Sequence, residues 1–257
     1  MNRRFGYAAI LFTALFFLAA QARAQQSAGS QNAPQKQDDM AGMDMGNMHH
    51  DAPQDSAAAQ SANEAMAGHH MDMGAHMFMT DLRPTNPADE KRAEEIVATL
   101  RKSIEKYRDH HVAIAEGFQI FHPEVLQGHY HFTNYRYAFE ATFVFNPALP
   151  TSLLYKKTVD GYELEGAMYT APRRATEEEL NSRVPLSVGR WHKHVNLCLP
   201  PKGAQQKQVN LKEFGFRGSI ATQEACEAAG GRWFQQIFGW MVHVYPFENS
   251  REKIWGQ

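Results

Sequence analysis

Two groups of residues in this chain carry side chains able to ligate a metal. Residues 69–79 read HHMDMGAHMFM, with His69, His70 and His76 interleaved with Met71, Met73, Met77 and Met79. Further along, GHYHFTN holds His129 and His131, RWHKHVN holds His192 and His194, and WMVHVYP holds His243. Thioethers are good ligands for Cu(I), whereas imidazole also suits Cu(II), Ni(II) and Zn(II). If the two His-x-His pairs lie on strands, each projects both rings onto one face of a sheet. Three or four neutral imidazoles there, with an open position, would suit copper, with zinc or iron as alternatives. Each ligating ring also needs its second nitrogen held, and Glu165, Asn134 and Asn196 are candidates for that task. A lone histidine among aromatic residues is more often a hydrogen-bonded core or pocket residue than a ligand.

The methionine-rich segment has no core to fill. From Gln25 to Met79 there is no Leu, Ile, Val, Trp or Tyr, and Phe78 is the only aromatic residue. Such a stretch cannot bury enough apolar area to offset the entropy of ordering, so residues 25–80 are expected to be a disordered tail. A short unit recurs in it, MAGMDMG at 40–46 and MAGHHMDMG at 66–74, with paired histidines at His49 and His50 and at His69 and His70. The candidate tail ligands are therefore His49, His50, His69, His70, His76, Met43, Met45, Met71, Met73 and Met77.

The first residues, MNRRFGYAAILFTALFFLAAQARA, place arginines before an apolar run and end on a small-x-small cleavage site, so 1–24 reads as a secretory signal peptide. No integral membrane segment is expected after cleavage, and the mature chain is expected in the periplasm or outside the cell. Removing the signal's three arginines moves the formal charge from −2 to −5. Residues 25–79 hold seven acids against Lys36 alone, hence −6, which leaves the remainder near +1. Neither part has the charge of a nucleic-acid binder. Outside the cytoplasm Cys198 and Cys226 read as one disulfide, the competing reading being a thiolate ligand at Cys198.

Residues 81–257 read as one α+β domain, mainly antiparallel β-sheet with one long N-terminal amphipathic helix and short helices. Asn86 as N-cap, Pro87 at the first helical position and apolar residues from Ile96 to Ile114 at three- and four-residue steps predict a helix running to about Gly117. On its stripe His111 is expected to pack, with His110 facing water. Strands are expected at YRYAFEATFVF, at SLLYKK and YELEGAMY around a tight turn, at GRWHKHVNLCL and at FGWMVHVYPF. Thr176 and Glu179 form a capping-box pair, and Thr222 could cap a helix carrying Cys226.

The repeated MDMG and HHM units resemble the methionine- and histidine-rich segments of bacterial periplasmic copper-resistance and copper-storage proteins, which implies metal capture by the tail. The segments YRDHHVAIAEGF, HFTN, SLLY, LEGAMY, WHKHVNLCLP and GWMVHVYPF resemble a family of uncharacterised secreted bacterial proteins, which implies one compact secreted domain. Cupins place a glutamate a few residues after a strand His-x-His, whereas Tyr135 and Arg136 stand there in this chain. There is no Gly-x-Ser-x-Gly elbow, phosphate loop, dinucleotide fingerprint or His-Glu-x-x-His helix.

Three readings follow. One is a metal-binding protein, handling copper, whose partner is the metal ion and which names no protein partner. Another is a metal-dependent enzyme built on His131, His192, His194 and His243 with His129 nearby, its pocket lined by Tyr130, Trp191 and Trp240. The last is a small-molecule-binding domain without metal.

Overall fold

The structure, a computed structural model, describes residues 74–123, 129–202, 204 and 209–256. The expected signal peptide and the tail residues Met43, Met45, His49, His50, His69, His70, Met71 and Met73 lie outside the described residues. No helix among the described residues is long and apolar enough to cross a membrane.

Among the described residues, seven antiparallel strands form one sheet: β1 (Met77–Met79), β2 (Gln119–Ile120), β3 (Tyr130–Thr133), β4 (Ser152–Thr158), β5 (Gly161–Ala171), β6 (His192–Leu199) and β7 (Arg232–Val244). Their order across the sheet is β1-β6-β7-β5-β4-β3-β2. Six helices accompany it: α1 (Pro87–Ile104), α2 (His110–Ala115), α3 (Tyr135–Glu140), α4 (Glu177–Arg183), α5 (Gln223–Ala228) and α6 (Arg251–Ile254). The α+β expectation and its antiparallel sheet therefore hold.

The two sheet faces differ in what they carry. One face supplies Leu153, Tyr155, Ala167, Tyr169, Val242 and Val244 to the main core, which also takes in Ile96, Leu100 and Ile104 of α1. Period-two alternation puts the intervening residues on the other face, including Leu154, Met168 and Met241, which cluster with Tyr245. A register irregularity at Leu154/Tyr155 and another between His192 and His194 interrupt the ladders. Such irregularities bend a strand and increase its local twist.

Three local expectations are corrected. Helix α1 stops at Ile104 rather than near Gly117, passing through a 3-10 turn at Glu105–Arg108. Asp109 is extended and its carboxylate accepts the His111 amide, so it caps a new helix, α2, instead of continuing the old one. That break turns the register of the following residues. His110 becomes half-buried with its ring 5.1 Å from Tyr162, while His111 is exposed. YRYAFEATFVF is not a strand: Asn134 accepts the Tyr137 amide and starts α3, and Phe143 and Val144 stay exposed beyond it. Finally, order begins before Asp81. Gly74–His76 forms a 3-10 turn, and β1 pairs with β6 through Met77↔His194 and Met79↔His192.

The two caps expected from sequence are present. Thr176 and Glu179 make a capping box on α4, and Thr222 caps α5, from which Cys226 bonds Cys198 on β6. The Cys198 thiolate reading is thereby excluded. A Cβ on Gly231 would lie 2.5 Å from the Cys198 sulfur, so this position requires glycine. The cross-link closes a loop of separation 28. Closure of a loop that long contributes about 3–4 kcal/mol in the chain-entropy model. Cys198→Ser/Cys226→Ser is expected to lower unfolding free energy by about 2–4 kcal/mol, read as a lower urea midpoint.

Candidate metal centre

Four of the five domain histidines expected to matter are buried on the sheet face opposite the main core. His131, His192, His194 and His243 are 6%, 1%, 2% and 6% exposed. Their positions follow from strand parity. His192 and His194, two residues apart on β6, share a face, His243 shares a face with Met241 on β7, and His131 stands opposite Leu154 of β4.

The rings form a row. Centroid separations are 5.8 Å for His131 and His243, 5.1 Å for His243 and His192, and 5.9 Å for His192 and His194. Strands β3 and β7 stand three places apart in the sheet. In a flat sheet that would separate them by about 14 Å, at about 4.8 Å per strand. A ring contact across that interval means the sheet is rolled, with the histidines on its concave side. Phe121, beside β2, closes toward Phe238 of β7 at 6.4 Å, and Phe216 stands edge-on to His194 at 4.8 Å.

Burial fixes the protonation of the row. Desolvation pushes His131 down to about 4 and His192 down to about 3, and it holds His194 and His243 well below the ordinary histidine range. Neighbouring imidazoles add to the effect in every case. At neutral pH all four are uncharged, and each keeps a nitrogen lone pair. Nδ1 of His131 and His194 and Nε2 of His192 and His243 are buried and meet no hydrogen-bond partner among the described residues. Leaving one buried polar group unpaired costs about 1–3 kcal/mol. Four together would take up a large part of the 5–15 kcal/mol that holds a typical domain folded.

The other expected residues divide. His129 Nδ1 lies 2.6 Å from Glu165 Oε2, at the rim of the row. Asn134 and Asn196 do not serve it. Asn134 caps α3 and donates to the Glu116 carbonyl, while Asn196 donates to the Ala75 carbonyl. Tyr130, Trp191 and Trp240 belong to the main core and do not line a pocket at the histidines. His76 is not a free tail ligand: its Nδ1 lies 2.8 Å from the Asn196 carbonyl oxygen and its Nε2 2.6 Å from that of Gly218. Met77 stands directly across from His194 on the concave face.

One further group went unread in the sequence. Asp109, His110 and His111 have ligand atoms that all lie within 4.8 Å of one another at the exposed start of α2. Among the described residues it is the only group of three or more such ligand atoms gathered within 4.8 Å, so the nitrogens of the buried row stand further apart. Ligand nitrogens around a four-coordinate ion are about 3.3 Å apart, from bonds of about 2.0–2.1 Å. Gathering the row about one ion therefore takes side-chain rotation.

No family model, curated protein or solved structure matches this chain.

The row makes stability depend on pH. The unfolded chain takes up protons near pH 6.5, whereas the folded imidazoles of His131 and His192 stay neutral until about pH 4 and about pH 3. Their contribution is fully present above about pH 6.5 and is lost as pH falls through that window. In the presence of a chelator, the urea midpoint is expected to be lower at pH 5 than at pH 7.5.

Proposed function

We propose that this chain is a metal-binding protein of the periplasm or cell exterior that handles copper, with the histidine row as its domain site and the methionine-rich tail as a capture segment. The observation that carries this reading is the row itself: four buried, neutral imidazoles, each with a nitrogen that has no partner among the described residues. Neutral imidazole is the form that binds copper and zinc, and occupation by an ion would satisfy the nitrogens that burial has stripped of water. The apolar lead at 1–24 and the Cys198–Cys226 disulfide support export.

Binding is favoured over turnover by the enclosure of the row. Its members are at most 6% exposed, and the aromatics expected to line a substrate pocket lie in the opposite core. The tail supports capture by a separate argument, since its thioethers stand in a segment too polar to bury them.

His192→Ala/His243→Ala in the full chain is expected to lose at least one equivalent of bound copper in equilibrium dialysis, and undiminished uptake would overturn the domain site. Deleting residues 40–73, which spares β1, is expected to lower copper stoichiometry further while leaving the unfolding midpoint unchanged. Equal stoichiometry with and without that segment would remove the tail's role.

A further inference from the structure

Methionine stands in a cross-strand position to three of the row's four histidines. Residues directly opposite in an antiparallel pair place their side chains on the same face, about 4.5–5.5 Å apart at Cβ. His192 faces Met79 on one side and Met241 on the other. His243 faces Met168, and His194 faces Met77. The closest ring pair of the row, His192 and His243, is thus bracketed by Met241 and Met168, both buried.

Resting on the metal-binding reading above, we infer that Met168 and Met241 supply thioether ligands beside His192 and His243, making this a two-nitrogen, two-sulfur site selective for Cu(I).

Three physical arguments support the assignment. Thioether sulfur is a soft donor that favours Cu(I) over Zn(II). Met168 and Met241 also pack together with Leu154 and Tyr245, which places both thioethers on the buried face that carries the histidines. Charge points the same way. The proposed ligands, two imidazoles and two thioethers, are all neutral donors, so the ligand set itself carries no compensating anion. Burying an ion among neutral ligands costs a solvation energy that grows with the square of its charge. A monovalent ion therefore bears about a quarter of the penalty of a divalent one in the same site.

The test uses the full chain labelled with ¹³C at the methionine methyl groups, which separates each domain methionine from those of the tail. Met168→Leu and Met241→Leu, near in volume to the native residues, assign the two signals. On titration with Cu(I) under reducing conditions both signals are expected to move until the His192-dependent equivalent is filled. In Met168→Leu/Met241→Leu, Cu(I) affinity for that equivalent, read against a chromogenic Cu(I) chelator, is expected to fall at least about tenfold. Zn(II) affinity should stay within about twofold. Methyl signals that stay in place while the His192-dependent equivalent fills would overturn the thioether assignment alone. Full Cu(I) uptake by His192→Ala/His243→Ala would overturn the histidine site and this inference with it. The labelled native chain gives its answer even if the double variant does not fold.

Discussion

The structure turns on the desolvation of four imidazoles. A strand His-x-His on an open sheet would stay wet, its rings titrating near their ordinary value and exchanging hydrogen bonds with water. Rolling the sheet changes this. With β3 brought toward β7 the rings are buried and held neutral, and four of their nitrogens meet no hydrogen-bond partner among the described residues. That penalty must be carried by the rest of the fold. The opposite face carries it, packing Leu153, Tyr155, Tyr169, Val242 and Trp191 against the apolar stripe of α1. The two faces are thus complementary in energy, one stabilising through burial and the other held in a state that an ion would relieve.

The root of the methionine-rich tail is built into this arrangement. β1 is a three-residue edge strand, and short edge strands resist pairing with other chains. It is held by the β6 ladder and by His76, set between the Asn196 and Gly218 carbonyls. Under the proposed function the segment that gathers the ion enters the fold beside the row that receives it, with Met77 across from His194 and Met79 across from His192. A segment anchored so close raises the local concentration of anything it holds.

Much of this was legible in the residues, for reasons that can be named. Alternation along β6 and β7 follows from a period of two, so the shared face of His192 and His194 could be read without coordinates. The capping box at Thr176 and Glu179 and the Cys198–Cys226 pair are local or compartmental signals. What stayed hidden depends on distant strands or on competition between local signals. The approach of His131 to His243 depends on strand order and curl, which no local pattern encodes. Asn134 and Asp109 each carried a capping side chain, but the aromatic alternation after one and the apolar spacing around the other suggested a strand and a continuous helix. Met79, Met168 and Met241 were overlooked because methionine in a strand ordinarily fills a core. Only the register shows them opposite histidines.

Under the proposed function, the charge of the two regions would divide the work between them. The tail is acidic, with seven carboxylates against one lysine over residues 25–79, a charge that would favour a hydrated divalent ion. The row offers neutral nitrogen and sulfur on a dry, concave surface. A hard or divalent ion drawn to the tail gains little by moving inward, because burial without a counter-charge opposes it. A soft monovalent ion meets the smaller barrier and the better donors. Selectivity in this protein would then arise from the sheet's curvature as much as from its ligands, since the same side chains on a flat, hydrated face would discriminate far less between the two charges.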